Sequence, residues 1–253
     1  MRRLLLALPL ALAGCATTLP IPAAPPGDPE AAWRRVLSRH VDDQGRVDFA
    51  GLARDDADLR RWVAQIAAEA PNNAPARFAS PAAVLAFHVN AYNGLAVNAV
   101  LAAGIPGRLD LADRVRFFKL TRMVVGSTAI SLYDYENDVI RPLGDARVHV
   151  ALNCMAASCP RLPRQPFAAA DLDAALEAAA REFFNYPRHV AVQPSSRRVE
   201  VSAILDFYAE DFLAVAPSLL AYVNRYRTVP IPDDFTLGFL PYDWTINRQG
   251  RPQ

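Results

Sequence analysis

The densest cluster of reactive side chains lies between residues 149 and 159, in the order His149, Asn153, Cys154, Ser158 and Cys159. Three kinds of chemistry fit these residue types. The two cysteines, with four residues between them, can close a disulfide across a tight loop. His149 and both cysteines can bind zinc, but a structural zinc site normally has four ligands and only three are evident, so we predict no metal.

The third chemistry is nucleophilic. A thiolate of Cys154 or Cys159 can attack a substrate if His149 lies within hydrogen-bond reach as its base, with Glu136 or an Asn as orienter. The segment Val148–Leu152, apolar apart from His149, predicts a buried strand for this histidine. Because side chains alternate along a strand, His149 and Cys154 would then face opposite sides unless the loop turned back.

A second polar cluster, Asn90, Tyr92 and Asn93, lies on an otherwise apolar predicted helix. A buried amide without partners costs about 1–3 kcal/mol, so both asparagines must be bonded to something. They either tie the helix to neighbouring backbone, such as the Cys154 loop, or bind a ligand together with Asn153 and Asp243.

Glu136 precedes Arg141 and Arg147, which favours a structural ion pair between Glu136 and one of these arginines. Further side chains that can line a cleft are Asp206, Tyr208, Asp211, Tyr242, Asp243 and Trp244.

The N-terminus predicts export. Arg2 and Arg3 precede an apolar run that is too short to span a membrane, and Leu12-Ala13-Gly14-Cys15 resembles the bacterial lipobox. We therefore expect a signal peptide over residues 1–14 and acyl chains, such as palmitate, on Cys15. Lipidation of Cys15 leaves Cys154 and Cys159 as a pair in an oxidising compartment, which favours the disulfide over the free thiol.

Composition limits the partners. The chain of 253 residues carries 27 basic and 26 acidic residues, so nothing predicts nucleic-acid binding, and no cofactor is predicted. The proline-rich residues 15–29 predict an extended tether, and residues 30–253 predict a single domain. The expected location is the cell envelope, on the outer membrane facing the periplasm, because Ala16 rather than Asp follows Cys15.

Helical and strand patterns alternate without regular βαβ spacing. They predict an α+β fold, a helix-rich domain around a small, mainly antiparallel sheet. The predicted helices are Ala31–His40, Asp55–Ala70, a long helix from Pro81 capped by Ser80 and stopped by Gly104, Tyr133–Ile140, Asp171–Phe184, Ser202–Leu213 and Ser218–Tyr226. Besides Val148–Leu152, the predicted strands are Met123–Ser127, Ala129–Leu132, Val190–Gln193 and Arg198–Val201.

Taken in order, several segments resemble the domain of unknown function 547 family over about Val47 to Asn247. They are Phe87–Asn93, Ser131–Glu136, Ile140–Leu143, Arg147–Cys154, Ser158–Leu162, Ser202–Phe212 and Tyr242–Asn247. The family usually has Trp at the position of His88 and His at the position of Asn137. The resemblance implies no reaction. The order of a long helix and a His149 strand is also similar to papain-like and transglutaminase-like hydrolases, but the helix lacks their cysteine.

Two functions are compatible with these patterns. The first is a lipid-anchored envelope protein that binds a small ligand or an envelope partner in a polar cleft around His149 and the Cys154 to Cys159 loop. The alternative is a cysteine-dependent hydrolase or acyl transferase that uses Cys154 or Cys159 with His149.

Overall fold

The computed structural model describes residues 16–250, and these form ten α-helices and two small sheets. The helices are α1 (Pro29–His40), α2 (Phe49–Arg54), α3 (Ala57–Ala68), α4 (Pro81–Ala102), α5 (Leu111–Val115), α6 (Leu132–Asp134), α7 (Leu172–Asn185), α8 (Ile204–Phe207), α9 (Ala209–Leu213) and α10 (Leu219–Asn224). Two π-helical turns, Arg116–Leu120 and Tyr135–Ile140, extend α5 and α6. Short 3-10 helices occur at Pro75–Arg77, Arg141–Leu143, Ala146–Val150 and Pro194–Ser196.

Helix α4 runs through the larger core. Its start is set by Ser80, whose hydroxyl accepts from the amide of Ala83 at 3.1 Å, and by Pro81 in the first turn. Gly104, in the left-handed conformation, follows its end, as predicted. By length and composition α4 could span a membrane, but 78% of its most apolar window is buried inside the domain. An apolar surface on all sides is what a central core helix needs.

Each sheet has three strands and mixes both strand directions. Strands β2 (Thr121–Val125) and β3 (Thr128–Ser131) form the predicted hairpin, and β1 (Thr17–Thr18) adds in parallel to β2. Strands β4 (Val190–Gln193) and β5 (Arg198–Ser202) form the second predicted hairpin, and β6 (Thr236–Leu240) adds in parallel to β5. The α+β class is confirmed, but two mixed sheets replace the expected single, mainly antiparallel one.

The described part of the proline-rich segment lies along the domain. Thr17 pairs with Thr121, and the amide of Leu19 donates to the carbonyl of Arg122 at 2.8 Å. Further on, Arg61 donates to the carbonyls of Pro25 and Pro26. This differs from the tether that the prolines predict, because proline carbonyls still accept hydrogen bonds. The predicted signal peptide, residues 1–14, and Cys15 lie outside the described residues.

His149 does not lie on a strand. The strand predicted for Val148–Leu152 is wrong, since Ala146–Val150 form a 3-10 helix in which Asp145 accepts from the amide of Arg147 at 2.9 Å. Val148 belongs to the core around α4, whereas Val150 packs into a second core that includes α7 and α10. A helical turn can direct apolar residues two positions apart to different cores, and here tertiary packing overrides β-propensity. The papain-like layout therefore lacks its strand.

Candidate functional site

A cavity of about 250 Å³ lies between the π turn after α5, the π turn after α6 and the C-terminal segment. Its walls are mainly aromatic and aliphatic, and charged groups occur at a few points only. The lining side chains are Tyr92, Leu111, Arg114, Val115, Phe118, Lys119, Tyr133, Glu136, His149, Leu152, Cys154, Cys159, Pro160, Ile204, Phe207, Tyr208, Tyr242 and Trp244. We call this space the aromatic cavity. Apolar walls with a few placed polar groups are typical of small-ligand sites.

Glu136 is the acidic group of the aromatic cavity. It lies on the π turn Tyr135–Ile140, a kind of distortion that is frequent at functional sites. Tyr92 of α4 donates its hydroxyl to Glu136 Oε2 at 3.1 Å. The predicted ion pair of Glu136 with Arg141 or Arg147 is wrong, because Arg141 binds Asp211 and Arg147 binds Asp145 and Asp173.

His149 lies behind Glu136 and is almost completely buried. Its Nε2 donates to Asp211 Oδ2 at 2.7 Å, and its Nδ1 faces Glu136 Oε1 at 3.7 Å, too far for a hydrogen bond. Nδ1 has no hydrogen-bond partner within residues 16–250. In the neutral imidazole with a proton on Nε2, Nδ1 is an acceptor. In this geometry no hydrogen bond joins Nδ1 to the Glu136 carboxylate.

Asp211 holds His149 from the other side. Arg141 binds its carboxylate through Nε and Nη2 at 2.7 and 2.8 Å, and Arg141 Nη1 donates to Asn137 at 2.6 Å. The Arg141 guanidinium lowers the pKa of Asp211 most, burial opposes this, and His149 adds to the lowering. Asn137, one of the two positions that depart from the family pattern, therefore orients the arginine of this network.

Tyrosines complete the cavity floor. Tyr208 lies between α8 and α9, where the single helix predicted for Ser202–Leu213 is broken, and its ring stacks on His149 at 3.9 Å between centroids. Burial, followed by the charge of Glu136, raises the pKa of Tyr92, Tyr208 and Tyr242. These phenols keep their protons and act as donors.

His88 is the other position at which the chain departs from the family pattern. It lies away from the cavity lining and is hydrogen bonded to Tyr135, and burial lowers its pKa to about 4.

Cys154 and Cys159 form a disulfide pair with Cα atoms 6.3 Å apart, at the wall of the aromatic cavity. The Tyr242 hydroxyl lies 3.4 and 3.2 Å from their sulfur atoms. Neither sulfur contacts His149, whose two nitrogens face carboxylates. Between residues 16 and 250, no group of three or more His, Cys, Asp or Glu side chains is placed to hold a metal ion.

The asparagines are bonded to the protein itself. Asn90 accepts from Trp33 Nε1 and the Phe167 amide, and it donates to the carbonyls of Ala86 and Phe167. This uses the full capacity of its amide. Asn93 donates to Ala151 O at 3.0 Å and accepts from the amide of Asn153 at 2.7 Å. Asn90 thus has no group left for a ligand.

Asn153 fixes the cysteine loop in the same way. Its side chain donates to Pro160 O at 2.6 Å and accepts from the amide of Met155 at 2.8 Å. Of the five residues predicted to bind a ligand, Tyr92 lines the aromatic cavity, whereas Asn90, Asn93 and Asn153 do not. The three asparagines tie α4 to the backbone, which was the other interpretation of their pattern.

Asp243, the fifth residue, lines a different space. Its carboxylate accepts from the amide and hydroxyl of Thr245, and its backbone amide donates to Ser158 Oγ at 2.8 Å. It lies on a groove of about 930 Å³ between residues 43–46, 157–188 and the C-terminal segment. The groove mixes acidic, basic and proline residues. Its buried His189, with a pKa lowered to about 3 by burial and then by Arg188, stacks on Phe183.

The sequence predicts some of the residues that line the aromatic cavity and gives little indication of the others. Tyr208, Tyr242 and Trp244 line the aromatic cavity as predicted for a cleft, and Asp211 binds the histidine behind it. The segment from α5 to Lys119 was missed, although it supplies Leu111, Arg114, Val115, Phe118 and Lys119. The only signal for it is the run of large apolar and basic residues without helical or strand periodicity.

Residues 77–184 match the family described as Protein of unknown function, DUF547. The match includes Glu136, Arg141, His149 and both cysteines of the disulfide, and it ends before Tyr208 and Asp211. The resemblance predicted from the motifs is confirmed over these residues. No curated protein and no solved structure matches the chain.

Proposed function

We propose that this chain, whose residues 77–184 match the DUF547 family of unknown function, is a lipid-anchored envelope protein that binds a small, largely apolar ligand in the aromatic cavity. The ligand donates a hydrogen bond to Glu136. The observation that carries the proposal is the Glu136 carboxylate at the end of an apolar space, with His149 Nδ1, which has no hydrogen-bond partner in the described residues, 3.7 Å from its Oε1.

Glu136 is a carboxylate in a mainly apolar lining. It accepts the hydroxyl of Tyr92 at Oε2, Tyr208 is a second hydrogen-bond neighbour, and Oε1 lies 3.7 Å from His149 Nδ1. A carboxylate has about four lone-pair sites, so it can accept a further donor. A ligand hydroxyl or amine would add a charge-assisted hydrogen bond there. The aromatic walls would cover the rest of the ligand, because planar rings bury large areas without losing much conformational freedom.

The lipid anchor is supported by the N-terminal residues. Arg2 and Arg3, the short apolar run and the Leu12-Ala13-Gly14-Cys15 sequence have the order of a lipoprotein signal. Mass spectrometry of the protein exported in its native host tests this directly. We expect a chain that starts at Cys15 with acyl groups attached, and an unmodified Cys15 would overturn the anchor.

The hydrolase alternative has less support. Its nucleophile must be a thiolate beside an imidazole, but the two sulfurs are bonded to each other and His149 Nε2 is bound to Asp211. Opening the disulfide would still leave a carboxylate at each imidazole nitrogen. The aromatic cavity therefore favours binding over thiol catalysis.

The ligand proposal can be tested with p-cresol and p-xylene. The two compounds have nearly the same shape, and p-cresol has a hydroxyl where p-xylene has a second methyl group. Calorimetric titration of the full chain should show p-cresol binding at least ~10-fold more tightly, because a hydrogen bond to a charged group contributes about 1.5–3 kcal/mol. Glu136→Gln should remove most of that difference. The control Glu210→Gln changes an exposed carboxylate on α9 and should leave it intact.

Two results would overturn the proposal. Either neither compound binds, or both bind equally well to the wild-type chain. Loss of the hydroxyl preference in Glu210→Gln would also contradict it, because Glu210 does not line the aromatic cavity.

A further inference from the structure

The basic strip, residues 108–122, forms one side of the mouth of the aromatic cavity. It holds five basic residues, Arg108, Arg114, Arg116, Lys119 and Arg122, against the two acids Asp110 and Asp113. The rest of the chain after Cys15 has the opposite balance, with 20 basic residues out of 25 and 24 acidic residues out of 26. Positive charge is therefore concentrated beside the cavity.

Large apolar side chains are exposed at the same mouth. Leu111 is 69% exposed, Val115 43%, Tyr133 45% and Phe207 50%, and all four line the aromatic cavity. Single exposed apolar residues are normal on a protein surface. Four around one opening, next to basic residues, form the kind of patch that marks an interaction site.

The cations of the strip are available to an outside anion. Arg114 lies over the ring of Trp244 at 4.7 Å, and Lys119 lies over the ring of Tyr133 at 4.2 Å. No ion pair joins either cation to a carboxylate in the described part of the chain. Arg116 is highly exposed, and its ion pair with Asp113 is a long one of 3.8 Å. Aromatic rings and basic side chains side by side are typical of residues at a membrane interface.

The N-terminal strand brings the expected lipid to this mouth. Thr17 and Thr18 of β1 pair with Thr121 and Arg122, which end the basic strip, and Lys119 is two residues before that pairing. Cys15 is two residues before Thr17, and consecutive Cα atoms are ~3.8 Å apart. A lipid on Cys15 would therefore enter the bilayer close to Lys119 and the apolar residues of the mouth.

We infer that the basic strip and the exposed apolar residues of the cavity mouth dock on a bilayer that contains anionic lipid, so that the aromatic cavity opens toward the membrane. This inference rests on the proposed lipid anchor. The headgroup phosphates pair with Arg114, Arg116 and Lys119, and Leu111 and Val115 enter the interface between headgroups and acyl chains. A single lipid attachment and a basic apolar patch then act together as two membrane signals.

Tryptophan fluorescence of the lipidated full-length protein tests the inference. Trp33 and Trp62 are buried in the core, whereas Trp244 lies at the mouth. The protein is reconstituted into vesicles of 70% phosphatidylethanolamine and 30% phosphatidylglycerol with brominated acyl chains, and into brominated phosphatidylcholine vesicles. We expect the Trp244 emission, taken as the difference from Trp244→Phe, to be quenched at least ~2-fold more in the anionic vesicles.

Charge variants sharpen the result. Arg114→Glu with Lys119→Glu should abolish the extra quenching, while the control Arg39→Glu with Arg54→Glu, on α1 and α2, should retain it. Equal quenching in both vesicles, no quenching in either, or the same loss in both double variants would overturn the inference. The wild-type comparison of the two vesicles stands even if a variant fails to fold. An unmodified Cys15 would instead contradict the proposed lipid anchor. Binding of p-cresol in detergent tests the ligand proposal and depends neither on the anchor nor on membrane docking.

Discussion

Helix α4 contributes to two groups of buried polar side chains that are bonded in different ways. Asn90 and Asn93, with Asn153, bind backbone atoms of the segments around residues 151–167. Tyr92, on another side of the same helix, reaches Glu136 and the aromatic cavity. The asparagine group holds loops in place, and the group at the cavity floor has hydrogen-bonding capacity left over.

The difference shows how function can be separated from structure among buried polar residues. A buried amide with every donor and acceptor filled by the chain, such as Asn90, has nothing left to offer a ligand. His149 Nδ1 has no hydrogen-bond partner in the described residues and lies 3.7 Å from Glu136 Oε1 at the end of a cavity. Both groups are buried and polar, so burial does not distinguish them, whereas the count of hydrogen bonds does.

The largest expected effect is on the asparagine group. Asn90→Ala would leave Trp33 Nε1 and both backbone groups of Phe167 without partners in the core, so we expect a loss of about 3 kcal/mol or more in the free energy of unfolding. Urea denaturation measures it. Asn98→Ala, at a partly exposed position of α4 whose side chain makes no hydrogen bond within residues 16–250, is the control and should change stability by less than about 0.5 kcal/mol. Equal losses of stability in the two variants would show that the side-chain hydrogen bonds of Asn90 do not stabilise the fold.

The disulfide joins the two groups, because Asn153 precedes Cys154 and bonds to Pro160, which follows Cys159. Replacing both cysteines with Ala should cost about 2 kcal/mol, the closure entropy of so short a loop. The asparagine bonds should keep the loop folded, so p-cresol should still bind. Urea denaturation and calorimetry check both parts. If p-cresol binding were lost while the free energy of unfolding changed little, the disulfide, rather than Asn153, would shape the cavity wall.

Local signals in the sequence predicted the local parts of the fold. Ser80 and Gly104 bound α4 correctly, and Gly126 lies in the turn of the first hairpin. The His149 segment was predicted wrongly, because its apolar residues suit a strand as well as a turn between two cores.

Pairings between distant residues could not be predicted at all. Arg141 and Asp211 are 70 residues apart, and β1 pairs with a strand that begins at Thr121. Only the folded chain brings them together. The candidate site was therefore predictable as a set of residue types, including His149, Glu136 and Tyr208, but not as a geometry. In particular, no pattern indicates which acceptor is left without a donor.

Asp211 gives the smallest and most specific test, since it belongs to the cavity group but is itself fully bonded. Its pKa lies below the usual value, so the stability it contributes is present above about pH 4 and is lost as pH falls through the folded pKa. Asp211→Asn should thus cost about 1–2 kcal/mol at pH 7 and progressively less below pH 4. Urea denaturation between pH 7 and pH 3 measures this slope.

Asp58→Asn is the matched control, because Arg35 lowers the pKa of Asp58 in the same way but far from the aromatic cavity. Both variants should lose the same kind of pH dependence in stability. Only Asp211→Asn should also weaken p-cresol binding, since an amide at this position no longer fixes which nitrogen of His149 carries the proton. If both variants bind p-cresol like the wild type, the Asp211 carboxylate has a structural role only. Glu136 would then belong to the ligand-binding group and Asp211 would not.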